Sequence, residues 1–145
     1  MRPADWAEIA CQYPEGTSRS QIAYIASLSG EAWVASRLGQ PIAAFGAHPL
    51  SGAGNVLSVW CFGTRATRRV VPAITRFIRE DCVPRWIAAG VTRVEARSID
   101  GHFAAHRWMR ALGATGVLTP GWGRDGENFT LFAWTARDWN DVLLQ

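Results

Sequence analysis

Residues Asn55–Arg85, NVLSVWCFGTRATRRVVPAITRFIREDCVPR, decide how the rest of the chain is read. Val56 to Phe62 is an apolar run of strand length, Gly63-Thr64 supplies a tight turn, and the residues from Arg65 to Arg85 carry a helical period. At about 100° per residue, Val70, Val71, Ile74, Phe77, Ile78 and Cys82 share one face, with Arg65, Arg68, Arg69, Arg76 and Arg79 opposite. Pro72 falls early in this helix, where a missing N–H costs least, and Pro84 is expected to kink or end it. A strand feeding a helix through a short turn is half of a βαβ unit, and its turn is a place where such folds hold an anion.

A chain of 145 residues suits one domain, 1–145, able to bury a core without staples. No apolar run approaches the roughly 18 residues of a membrane span. Met1 to Tyr13 carries Arg2, Asp5 and Glu8 where a signal peptide would be apolar. A soluble intracellular product without a membrane partner is the expectation. Cys11, Cys61 and Cys82 are odd in number and far apart, so they read as buried free thiols rather than disulfides or a metal site. The net charge is +3 and all fifteen basic residues are arginine, six of them between Arg65 and Arg85. That stripe is either a solvated face balanced by Glu80 and Asp81 or a surface for an anionic ligand or partner. Eight tryptophans are spread from Trp6 to Trp139, most of them expected in the core and one or two at an interface.

Outward from the central unit, Pro3 to Tyr13 reads as a short helix with Asp5 as N-cap, and Ser18 to Ser29 as a second helix stopped by Gly30. Trp33 to Leu38 and Ile42 to Ala47 flank Gly39-Gln40-Pro41 as a hairpin, and His48 to Asn55 is a polar loop. Thr92 to Ile99 alternates Val94 and Ala96 against Arg93, Glu95 and Arg97, and can pair in parallel with Val56 to Phe62 by a right-handed crossover. A helix over Phe103 to Leu112 turns Ala104, Ala105, Trp108, Met109 and Leu112 inward and ends at Gly113. Strands are expected over Ala114 to Leu118 and Asn128 to Trp134, joined through turns at Thr119-Pro120-Gly121 and Gly123 to Gly126. Trp139 to Gln145 is a terminal segment read as helical from an Asp138 cap.

This order of elements resembles the Gcn5-related N-acetyltransferase (GNAT) fold. The resemblance implies an α/β fold with two N-terminal helices, a mixed sheet of about six strands whose middle pair splays, and two further helices. In that fold the splayed strands admit the pantetheine arm of acetyl-CoA; here they would be Val56 to Phe62 and Thr92 to Ile99. The run His102 to Ala114 is similar to the family's N-x-x-A-x-x-L-Y-x-x-x-G-F segment, with Ala105 and Gly113 matching. His102 stands for the asparagine, Met109 for the tyrosine and Ala114 for the phenylalanine. The fold's first strand has almost no room ahead of Pro3 and is expected to be vestigial.

A narrower resemblance rests on Ser58 to Gly63, Arg107 to Ala114 and Gly123 to Phe132. In that order they look like stretches of the small acetyltransferase-like internal virion protein of short-tailed, T7-like phages, over roughly Glu31 to Thr135. It implies a bacteriophage protein found in the virion or the bacterial host cytoplasm, with other virion or assembly proteins as partners; contact of the arginine stripe with nucleic acid is the lesser alternative.

The acetyltransferase resemblance also sets a chemical standard. Its pyrophosphate turn, R-x-x-G-x-G/A, needs small residues so that backbone N–H groups can approach the anion. Gly63 to Arg69 reads GTRATRR, leaving Phe62, Gly63, Arg65, Arg68 and Arg69 as the cofactor-binding candidates if acetyl-CoA is retained. The acid position is Met109, which has no proton to give, and Val56 to Phe62 carries no carboxylate base. Glu95, His102 and His106 are the substitutes on offer, although a histidine near a helix start usually caps or faces solvent. The expectation is a catalytically degenerate acetyltransferase-like protein without a cofactor, serving as an internal or tail-associated virion component. The alternative is an active acetyl-CoA-dependent N-acetyltransferase.

Overall fold

The structure is a computed structural model that describes residues 1–143. In chain order it runs α1 (Pro3–Ala10), α2 (Arg19–Ser27), β1 (Glu31–Arg37), β2 (Gln40–Pro49) and β3 (Val56–Gly63). It continues with α3 (Val71–Phe77), α4 (Val83–Ala88), β4 (Arg93–Ile99), α5 (Phe103–Ala111), β5 (Thr115–Thr119), β6 (Phe129–Thr135) and α6 (Ala136–Leu143). The six strands form one mixed sheet in the order β1-β2-β3-β4-β6-β5. Only β3 and β4 run parallel, and their pairing stops at Ser58 opposite Glu95. Beyond that point the two strands diverge, as the splayed-pair expectation requires, and Val59–Gly63 are paired only on their β2 side.

Alternation of side chains assigns the faces. Leu57, Val94, Ala96, Phe132 and Trp134 of the sheet meet Trp86, Met109, Leu112 and Trp139 in the main core cluster. A second cluster joins Ala43 and Phe45 to Val70 and Ile74 of the helical segment after β3. Burying each such side chain is worth roughly 1.5–3 kcal/mol, which fixes α3 and α4 over one face of the sheet. The opposite face receives α1 and α2, where the Trp60 indole N–H donates to the Ser29 hydroxyl at 2.9 Å.

The arginine-bearing helix is one bent run. Pro72 sits in its first turn, as expected, and the kink expected at Pro84 takes the form of a wider π-type turn over Ile78–Cys82. Pro84 has no N–H to return to the preceding turn, and the extra residue in the wide turn takes up that mismatch without ending the helix.

Several element ends differ from the sequence expectation. Asp5 is not the N-cap of α1: Arg2 holds that place without a side-chain cap bond, and Asp5 lies inside the helix, buried. Ser18 does cap α2 through a reciprocal pair of bonds with Gln21, but the helix closes at Leu28 before Gly30 is reached. The β1–β2 turn uses Leu38 and Gly39, both left-handed at φ 50° and 75°. On α5, His106 turns inward while Ala104 stays exposed. Asp138 is not a cap but accepts the Thr135 backbone N–H at 2.6 Å; Leu144 and Gln145, the end of that expected segment, lie outside the described residues. Cys11, Cys61 and Cys82 are free, as expected. Among the described residues no helix is long and apolar enough to cross a membrane.

Candidate functional site

Where β3 and β4 part, a cleft of about 840 Å³ runs from one side of the sheet to the other. On the α3 side it is bordered by Cys61, Met109 and Trp108, and on the α1 side by Trp60, Phe62 and Arg97. Such a volume lies in the range of pockets for small organic ligands, roughly 300–1,000 Å³.

Helix α1 bridges the divergence with two carboxylates three residues apart, which a helix places on one side. On the β3 side, Asp5 Oδ2 accepts the backbone N–H of Gly63 at 2.8 Å, and the Gly63 carbonyl accepts the Arg2 backbone N–H at 2.6 Å. Arg2 also donates to both Asp5 oxygens, at 2.9 and 2.7 Å. On the β4 side, Glu8 Oε2 accepts the Ser98 hydroxyl at 2.7 Å, the Ile99 backbone N–H at 3.0 Å and His102 Nδ1 at 2.9 Å. His102 Nε2 lies 3.7 Å from Asp5 Oδ1, so the imidazole is held between two carboxylates. Its hydrogen bond to Glu8 raises its pKa above the usual histidine value against the opposing effect of burial. The far end of α1 is tied by the β5–β6 loop. The Arg124 backbone N–H donates to the Cys11 carbonyl at 2.6 Å and its guanidinium to the Tyr13 carbonyl at 3.0 Å, where a helix end favours a cation.

The candidates read from sequence separate into three groups. Phe62 borders the cleft, stacked on Trp60 at 5.2 Å, and Gly63 ends β3 with its N–H and carbonyl both engaged by α1. Arg65, Arg68 and Arg69 are exposed, and of these only Arg68 borders the cleft. Among the substitutes for a catalytic base, His102 lies at the cleft; it holds the N-cap position of α5, but its half-buried side chain makes no cap bond and partners Glu8 and Asp5 instead. His106 is a core residue: its Nε2–H donates to the Ile99 carbonyl at 3.0 Å and its ring packs edge-on against Phe132. Glu95 is paired with Arg93 at 2.7 Å and does not border the cleft.

These contacts test the site against a pyrophosphate-bearing cofactor. Besides Gly63, four of the turn's amides are spent inside the chain: Thr64 on the Ile42 carbonyl, Ala66 on the Thr64 hydroxyl, Thr67 on the Thr64 carbonyl and Arg69 on the Ala66 carbonyl. Gly63 is needed for internal packing, since a Cβ there would collide with Thr67 Oγ1 and stand 2.8 Å from the Ile42 carbonyl. The residues present therefore do not fit the family's backbone anion cradle: five of its seven amides are taken by the chain itself, leaving those of Arg65 and Arg68 with the guanidinium side chains at that end. The proton chemistry is as thin. Both nitrogens of His102 face carboxylates, and Met109 has no ionisable group. The Cys61 thiol is pushed up to about 12, chiefly by burial, and stays protonated at neutral pH. Among the described residues no His, Cys, Asp and Glu group is placed to hold a metal.

Sequence reasoning passes over Asp5, Glu8, Ser98 and Arg97 as site residues. Two signals point to the first three. Asp5 and Glu8 stand three apart in a helix otherwise short of charge, and Ser98 breaks the inward alternation of Val94 and Ala96 with a polar side chain.

No family profile and no curated protein sequence matches this chain. Solved structures do match it in three dimensions. A Chromobacterium violaceum protein assigned to the acetyltransferases (GNAT family) superposes with a TM-score of 0.70 at 13% identity, covering 94% of this chain and 77% of its own. A ribosomal-protein-alanine N-acetyltransferase from Brucella melitensis gives 0.62 at 14% identity, with 89% of each chain covered. An aminoglycoside acetyltransferase solved with coenzyme A and kanamycin gives 0.60 at 14% identity, covering 84% of this chain and 78% of its own. At such identities the likeness is one of fold, and the chain has the GNAT fold, as its element order implied.

Proposed function

We propose that this chain is a catalytically silent protein of acetyltransferase fold that works through its surfaces, as an internal or tail-associated component of a phage particle or of its assembly. The observation that carries the loss of catalysis is the engaged turn: the Gly63, Thr64, Ala66, Thr67 and Arg69 N–H groups are bonded within the chain, that of Gly63 to Asp5. The phage role is supported by the ordered likeness of Ser58 to Gly63, Arg107 to Ala114 and Gly123 to Phe132 to the internal virion protein. Partners in this reading are other virion or assembly proteins. Tyr24, Leu28 and Phe103, exposed apolar side chains, are surfaces for them. Protein composition of purified particles and assembly intermediates tests the role, and a chain absent from both would remove it. Calorimetric titration with acetyl-CoA tests the silence, with no heat expected at about 1 mM cofactor, weaker than nearly all working cofactor affinities.

A second reading is an active acetyl-CoA-dependent N-acetyltransferase. It is favoured by the cleft itself, which runs between the same two strands that the fold uses for the pantetheine arm, with the arginine-rich turn at its rim. Release of free coenzyme A in the presence of an amine would establish it.

A further inference from the structure

Arg97 is a guanidinium without a polar partner. Its Nε is buried and has no hydrogen bond, and among the described residues no ion pair or side-chain hydrogen bond reaches the group. It lies instead on the Trp122 ring, 4.0 Å from the guanidinium carbon to the ring centroid. Four arginines elsewhere in this chain pair with carboxylates: Arg2 with Asp5, Arg85 with Glu31, Arg93 with Glu95, Arg124 with Asp125. The contrast on β4 is sharpest, because Arg93, Glu95 and Arg97 share one face of the strand and the Glu95 carboxylate has turned to Arg93. Removing a donor from water without replacing its hydrogen bond is costly, and unsatisfied buried groups are rare enough to need a reason.

The surroundings of Arg97 supply one. It borders the cleft on the side of the sheet facing α1 and α2. Across the divergence lies the Trp60–Phe62 stack, with ring planes 18° apart, and above it are Ile22 and Ile25 of α2. With its carbon 4.0 Å from the Trp122 ring centroid, the guanidinium is attracted to the ring, and its fork of N–H donors suits a planar acceptor. We infer that Arg97 and Trp122 form a binding site for a carboxylate carried on an apolar or aromatic body. The carboxylate takes the Arg97 N–H groups, and the body lies against Trp60 and Phe62. A carboxylate on such a body matches both parts of the site, whereas inorganic phosphate has no apolar part to lie on Trp60 and Phe62. The site goes beyond the proposed function and does not depend on it, since neither Gly63 nor Met109 takes part. The carboxylate can come from a small molecule or from the C-terminus of a peptide, which offer the same chemistry.

The test is titration of the full chain with phenylacetate, its neutral isostere phenylacetamide, and inorganic phosphate, read by tryptophan fluorescence and by the Arg97 Nε–H resonance. Phenylacetate is expected to saturate, to bind roughly tenfold or more tightly than phenylacetamide, and to shift that resonance, as a charge-assisted pair requires. Arg97→Gln is expected to remove the preference for the charged form while leaving the thermal unfolding cooperative. If that variant fails to fold, Trp122→Leu, at a side chain 48% exposed, carries the same expectation of weakened binding. Equal binding of phenylacetate and phenylacetamide, tighter binding of phosphate, no saturation at all, or an unchanged preference in either variant would overturn the site. A peptide ending in a free phenylalanine carboxylate and free N-acetylphenylalanine separate the two sources. Tighter binding of the peptide assigns the site to chain termini, and equal binding assigns it to small molecules.

Discussion

The Asp5 carboxylate accepts the Gly63 backbone N–H at 2.8 Å across 58 positions of sequence. Three residues on, Glu8 does the same for the Ile99 N–H at 3.0 Å. One short helix thus satisfies the open edges of two strands that have ceased to satisfy each other. A buried backbone donor must find an acceptor, and a sheet that splays creates such donors on both sides of the gap. Ligand or protein can supply the acceptors; in this molecule the protein does.

Removing the Asp5 side chain should therefore cost more than a helix substitution at a surface site. Asp5→Ala strands the Gly63 N–H and takes the partner from Arg2, an expected loss of about 1–3 kcal/mol. Asp5→Asn keeps an oxygen for Gly63 and should lose less. Urea midpoints of the two variants decide it, and an Asp5→Ala midpoint equal to that of the parent would show that the contact carries no stability.

Stability should also fall on the alkaline side of neutrality through His102. Its pKa is raised in the folded state, first by the hydrogen bond to Glu8, with Glu8 and Asp5 adding charge and Arg2 opposing. A group raised on folding stabilises fully below its unfolded value, about 6.5 for histidine, and that contribution is lost as pH climbs through the folded value. The difference in urea midpoint between parent and His102→Gln should be largest near pH 5.5 and shrink by about pH 9. A difference that grows with pH would reverse the assignment.

Gly46 is a packing requirement of the α2 side. A Cβ there would stand 2.6 Å from Trp60 Cζ2 and would also press on the Glu31 carbonyl. Gly46→Ala should destabilise by roughly 1–3 kcal/mol and change the Trp60 emission, since the indole must move. Gly52→Ala meets nothing within 4 Å and should leave stability within about 0.5 kcal/mol of the parent.

Supplying the missing acid should not restore chemistry. Met109→Tyr puts a phenol at the edge of the cleft, yet most of the turn amides remain bonded within the chain. No release of coenzyme A from acetyl-CoA is expected above the rate without protein, followed by a thiol reagent. Turnover by this variant would mean that the anion end of the site is functional after all.

The fold is legible in the sequence because its elements announce themselves by period. Alternation marks β4 and β6, the 3.6-residue spacing marks the helix from Val70 to Cys82, and the glycine after Leu112 marks the end of α5. The polar centre is much less so. Asp5 reads as a cap because aspartate at a helix start usually is one, and only the three-dimensional path of β3 brings Gly63 to it. His102 and His106 are alike on paper. What separates them is that one ring meets two carboxylates and the other a carbonyl and Phe132. Arg97 looks like one more solvated charge on an alternating strand, since whether Glu95 leans toward Arg93 or Arg97 is a matter of side-chain packing.

The tie between α1 and the sheet also has a consequence in time. Residues 5 and 8 are synthesised long before Gly63 and Ile99, to which they bond across separations of 58 and 91 positions. At about 5–20 residues per second, a ribosome takes several seconds to deliver those partners. An eight-residue helix is not stable alone in that interval. Helix α1 is thus made ahead of the sheet it ties and is among the last of these elements to settle, closing over strands already laid down.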